Sequence, residues 1–121
     1  MTGFTVKTRK AVIERDHGLC QWCGEPARPD DYSLQHRRAR GMGGSRNPVT
    51  NGAANGVVVH GTGTTGCHGY IESHPDEAAE RGFRVRQTAD PRMVPLVDWR
   101  GVAWWLTGDG RRVEVGPDAP F

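Results

Sequence analysis

Three cysteines and five histidines are the residues of this chain best suited to metal chemistry. Cys20 and Cys23 enclose only Gln21 and Trp22, a spacing that lets one turn present both thiolates to a single ion. Gly24 follows and supplies the permissive backbone that such a knuckle needs. A second Cys/His pair should complete the tetrahedron. Cys67 and His60 fit, with Gly61, Gly63 and Gly66 easing a turn wider than the usual two to four residues or so. The expectation is a closed structural zinc site of Cys20, Cys23, His60 and Cys67, with His68 competing for the histidine place.

Composition supports a metal staple. Leu, Ile, Val and Phe make up only 21 of 121 residues, so hydrophobic burial alone leaves a small core. An odd number of cysteines suits a disulfide framework poorly. The opening MTGFTVKTRK has no apolar leader, and no stretch approaches the roughly 18 residues of a membrane span. A cytoplasmic protein with reduced thiols and no membrane partner is expected.

Charge is unevenly distributed. Residues 1–46 carry nine Lys/Arg against five Asp/Glu, whereas the remainder is net acidic. The basic run Arg37, Arg38, Arg40 and Arg46 is interleaved with glycines, a composition that suits close phosphate contact and equally suits a solvated loop.

These residues need elements to position them. The segment TRKAVIERDH predicts a short helix over 8–17, stopped by Gly18. Residues 32–36 have weak strand character, and Val57–Val59 is the clearest strand, running into His60. Between them, the Gly/Asn-rich segment 41–56 predicts a long surface loop. A helix should begin at 67–73, and Pro75 suits the first position of a second one, ended by Gly82. Beyond it, FRVRQ alternates like a strand, and AWWLTGDGRRVEV predicts a hairpin around Gly108-Asp109-Gly110. The tryptophans of this tail (Trp99, Trp104, Trp105) are expected to pack, because the tail lacks a positive patch of its own.

His36, Asn55 and His68 are left unabsorbed by the zinc knuckle. With them in place, QHRRARGMGGS followed by NGVVVHGTGTTGCHGYIESHP resembles the HNH endonuclease family, and more narrowly the short HNH proteins of actinobacterial phages. The resemblance spans about residues 8–85, with a weaker likeness in the tail. It implies an α+β fold: a zinc-stapled ββα-metal (HNH) core over 1–85 with a β-hairpin extension over 86–121. It implies a DNA endonuclease or nickase in which His36 is the general base, Asn55 orients His36 or its strand in preference to its rival Asn51, and His68 ligates a catalytic Mg2+, Mn2+ or Ni2+. Arg37, Arg38 and Arg40 would hold DNA phosphates. DNA is the implied partner, in the host cytoplasm, and some family members act with the phage terminase. Two positions depart from the pattern. Position 60 is usually Cys, and the residue before the base is commonly Asp or His, where this chain has Gln35, a neutral and poorer cation ligand. If Gln35 fails, His74 is a candidate substitute, provided the helix breaks near Pro75. The competing expectation is a zinc-stapled DNA-binding protein without catalysis.

Overall fold

The computed structural model describes residues 3–39 and 51–116. Helix α1 spans Val6–Arg15 and is capped by Thr5, whose side chain accepts from the Thr8 amide at 3.1 Å. It stops because His17 and Gly18 both turn left-handed, at φ 57° and 66°. Strands β1 (Tyr32–His36) and β2 (Gly56–His60) then form an antiparallel ribbon with Leu34 opposite Val58 and His36 opposite Gly56.

The ribbon is the middle layer. Val58 and Leu34 face Phe4 and Val12, against α1. Val57 and Val59 face the other way, into a cluster with Cys20, Ile71, Phe83, Leu96 and Leu106. Period-two alternation therefore buries all three valines, each on its own side. The second side is closed by α2 (Gly66–Ser73) and α3 (Pro75–Glu80), which are separated by His74. Pro75 opens α3 as expected, and Gly82 follows its end at φ 76°.

A three-stranded sheet completes the structure: β3 (Leu96–Val97), β4 (Ala103–Leu106) and β5 (Arg112–Glu114), in that order. The expected hairpin is β4–β5, and β3 is an addition. Leu96 and Leu106 place this sheet in the same apolar cluster as β2 and α2. Two expectations need correction. FRVRQ forms no strand; Phe83 and Val85 are buried in alternation, but only a single bridge joins Val85 to Arg38, because β1 has already ended at His36. The end of the expected surface loop is buried as well: Ala53–Asn55 is a 3-10 turn beneath the sheet.

Three polar side chains bind these layers together. Arg15 lies against Asp16 at 2.8 Å and donates to the Ala53 and Gly56 carbonyls, while Asp16 accepts from the Val58 amide. Arg37 is the largest fully buried side chain among the described residues. Its guanidinium donates to the carbonyls of Gly82, Ala54, Pro91 and Val94 at 2.6–2.9 Å, joining four separate stretches of backbone.

Candidate metal centre and the adjoining cleft

The first half of the metal site is a tight reversal after α1. The Cys20 amide donates to the Glu25 carbonyl, and Gly24, at φ 83°, returns a 2.7 Å bond to the Cys20 carbonyl. Gln21 ties this knuckle to β2 through the Val58 carbonyl. The second half comes from the far end of β2, where His60 closes the strand and Cys67 lies in the first turn of α2. Gly61 and Gly66 face one another across the connection; a Cβ on Gly61 would run into the Thr65 carbonyl. Gly63 has open space around it and is not needed for closure.

One ligand atom from each of Cys20, Cys23, His60 and Cys67 lies within 4.8 Å of the others, and Cys23 Sγ is 3.4 Å from His60 Nδ1. Tetrahedral Zn–S and Zn–N bonds of about 2.3 and 2.0 Å set ligand separations of roughly 3.5–3.8 Å, which the Cys23–His60 pair already meets and the widest pair exceeds by about 1 Å. The set is soft, convergent and sized for such an ion, so the cluster can hold a metal such as zinc. His60, not His68, occupies the histidine place. Burial pushes the Cys23 and Cys67 thiols up, and the neighbouring Cys20 pushes them further. Two thiols that resist ionising beside a third cysteine suit a cation-binding site and not a free nucleophile. Trp99 lies over the Gly24 position, and Arg81 sits 3.8 Å above the Trp22 ring, so the tail and α3 cover the knuckle. Trp99 and Trp104 therefore pack, as expected; Trp104 lies against the apolar cluster.

A second group of side chains lies where β1 ends. His36 stacks on Phe4, ring centroids 4.1 Å apart, and its Nε2 is 3.0 Å from Asn51 Oδ1. An amide oxygen only accepts, so this contact places the imidazole proton on Nε2 and the basic lone pair on Nδ1. Asn55 is fully buried and clamps the chain just after His36. Its Oδ1 accepts from the Arg38 amide at 2.6 Å and its Nδ2 donates to the Arg38 carbonyl at 2.9 Å. The two asparagines thus divide the work: Asn51 touches the ring and Asn55 holds the strand.

His68 lies on the α2 side of the ribbon. Ser33 Oγ donates to the Gly61 carbonyl at 2.9 Å and lies 2.6 Å from His68 Nδ1. The hydroxyl has one proton, already directed at Gly61, so Nδ1–H donates to Ser33 and the Nε2 lone pair is left. That nitrogen is 3.6 Å from the Glu72 carboxylate, one helical turn further along α2. Burial holds the His68 imidazole below its usual value, partly offset by Glu72. A lone pair facing a carboxylate is unfavourable unless a cation or a proton lies between them. Glu72 was not singled out from the sequence; its position four residues after His68 was the available signal.

Other expected site residues sit elsewhere. Gln35 is buried, and its amide nitrogen donates to the Phe83 carbonyl, while its Oε1 has no donor among the described residues. The oxygen beside His68 belongs to Glu72, not Gln35. The chain does break at His74, but this ring is exposed, stacked on Tyr70 and bonded to the Tyr70 carbonyl. The expectation that Arg37 and Arg38 hold phosphates is corrected. Arg37 is 1% exposed with its donors spent on backbone carbonyls, and Arg38 is 7% exposed and donates to the Ala89 carbonyl. Arg40 lies outside the described residues.

His36 and Glu72 line one open cleft of about 540 Å³, together with Asp76, Arg84, Arg86 and Gln87. Among the described residues, no helix is long and apolar enough to cross a membrane. No protein-family model, no curated protein and no solved structure matches the chain.

Proposed function

We propose that this protein is a metal-dependent DNA endonuclease or nickase of the HNH type, built around a structural zinc held by Cys20, Cys23, His60 and Cys67. The observation that carries the reading is the shared cleft. His36, with its basic nitrogen set by Asn51, lines the same space as Glu72, the carboxylate beside the His68 lone pair. A phosphodiester is anionic and a poor electrophile, so its hydrolysis needs an activated water and compensation of charge at the leaving oxygen. His36 Nδ1 would accept the water proton while Asn55 fixes the strand end that carries it. His68 and Glu72 would hold a divalent cation, which supplies charge neutralisation at the phosphate when bound. Ser33 would keep the His68 tautomer that leaves Nε2 available.

One observation favours a second reading, a zinc-stapled DNA-binding protein without catalysis: Gln35 stands where the family has a stronger ligand, and its amide is anchored to Phe83. A single comparison separates the two. Supercoiled plasmid is incubated with Mg2+, Mn2+ or Ni2+ and wild-type protein, His36→Ala or Glu72→Gln. Nicking or linearisation by wild type that both variants lose supports the enzyme. DNA retardation without cleavage under any of the three cations supports the binding module.

A further inference from the structure

The cleft has two chemically different walls, and one of them has no stated role. Helices α2 and α3 contribute Glu72 and Asp76, and the segment after Gly82 contributes Arg84 and Arg86. Phe83 and Val85 anchor that segment by burial, and Val85 donates to the Arg37 carbonyl at 2.8 Å. Alternation then turns Arg84 and Arg86 outward, both exposed.

Most other arginines among the described residues are occupied. Arg15 and Arg37 spend their donors on buried carbonyls and Asp16, while Arg92, Arg100 and Arg111 pair with carboxylates two residues before them. The side chains of Arg84 and Arg86 make no hydrogen bond or ion pair among the described residues, although acidic groups line the same cleft.

We infer that Arg84 and Arg86 are the phosphate-holding residues of this protein, taking the sugar–phosphate backbone of DNA in the cleft that Glu72 also lines. This rests on the reading of the cleft as a DNA site. A simple anion would be repelled by Glu72 and Asp76, and a simple cation by the arginines. A phosphodiester accompanied by a divalent cation satisfies both walls, with guanidinium on the phosphate oxygens and carboxylates toward the metal. The arginines therefore position substrate, and they replace Arg37 and Arg38 in that role because the fold has consumed those two.

The test uses the full chain carrying His36→Ala, so that DNA is bound and not cut, with Mg2+ present. Binding to fluorescent duplexes of two unrelated sequences is followed by anisotropy over a range of salt. Adding Arg84→Ala and Arg86→Ala together should weaken both duplexes at least about tenfold and reduce the salt slope by about 2. Arg28→Ala with Lys10→Ala, which removes the same two charges outside the cleft, should leave affinity within about twofold. An unchanged affinity and slope in the double variant overturns the assignment, as does a loss confined to one sequence. Failure of the His36→Ala parent to bind either duplex overturns the DNA reading itself. Both arginines are exposed and unbonded, so an unchanged thermal melt should accompany the effect.

Discussion

The Cys20/Cys23/His60/Cys67 cluster and the Arg37 hub occupy comparable places in this small molecule, one near each end of β2. Each gathers distant backbone around a polar centre where a larger domain would have apolar side chains. The cluster gathers the knuckle after α1, the end of β2 and the start of α2 through convergent soft donors that could hold an ion from solution. The hub joins Ala54, Gly82, Pro91 and Val94 through a cation that the chain already carries. The difference is one of conditionality. A guanidinium stays charged at any ordinary pH, even though burial pulls Arg37 down to about 9. The thiol cluster can act as a staple only when a metal is supplied and protons are displaced. One staple is permanent and the other is conditional.

The largest effect should come from removing the conditional staple. Chelation at neutral pH, or Cys23→Ser, should unfold the domain, since structural zinc contributes on the order of 10 kcal/mol in small peptides. A total stability of about 5–15 kcal/mol leaves little after that loss. Circular dichroism before and after chelation, with metal analysis giving about one zinc per chain, checks it. A chelated protein that melts as cooperatively as the native one would contradict the comparison at its root.

Next in size is the permanent staple. Arg37→Met leaves four carbonyls without their donor and should cost roughly 3–5 kcal/mol in denaturant unfolding. Arg37→Lys should recover little, because a point-like ammonium cannot span the same acceptors. The folded fraction of either variant should bind DNA as before. Loss of DNA affinity without loss of stability would return Arg37 to the role its sequence neighbourhood suggests.

That contrast also explains what could be read without the fold. The thiol cluster was legible because Cys and His in close spacing do little else together, and because the strand into His60 and the glycines around 61–66 were local features. Pro75 at the head of α3 and the β4–β5 hairpin were legible for the same local reason. Arg37 was not. A guanidinium has the same appearance in sequence whether it meets a phosphate or a carbonyl, and its acceptors lie 17 to 57 residues away. The FRVRQ alternation gave the correct in-and-out pattern but not the element, because a strand also needs a partner and β1 stops short. Glu72 carries little signal in sequence, because an i, i+4 His/Glu pair is common on exposed helices; only the Ser33 contact gives its direction meaning.

A smaller effect tests the boundary between staple and site. Asn55→Ala removes both bonds to the Arg38 backbone, taking a side-chain partner from an N–H and a C=O at a buried position. The expected loss is about 1–3 kcal/mol per unsatisfied group, read as a shift in denaturant midpoint with unchanged slope. Cleavage should fall further than the unfolded fraction explains, since the clamp lies two residues after His36. Cleavage that tracks the folded fraction alone would make Asn55 purely structural.

The smallest effect comes from a mirror image of Arg37. Asp98 is 1% exposed, and its carboxylate collects donors as Arg37 collects acceptors: Trp104 Nε1 at 3.0 Å, the Arg100 side chain at 3.0 Å, and the Arg100 and Val102 amides. Burial alone would raise its pKa, but the bonds from Trp104, Arg100 and the backbone amides outweigh that and hold it below the ordinary carboxylate value. A depressed folded pKa gives stability that is fully present above the unfolded value of about 3.9 and is lost as pH falls through the folded value. Asp98 is thus a built-in ion that acid can switch off, intermediate between the permanent and conditional staples. Wild type and Asp98→Asn should differ in melting temperature by a constant amount above about pH 5, and the gap should narrow toward pH 3. Acid release of metal is common to both proteins and cancels in that difference. A gap equally wide at both ends of the range would mean that Asp98 anchors β3 and β4 by hydrogen-bond geometry and not by its charge.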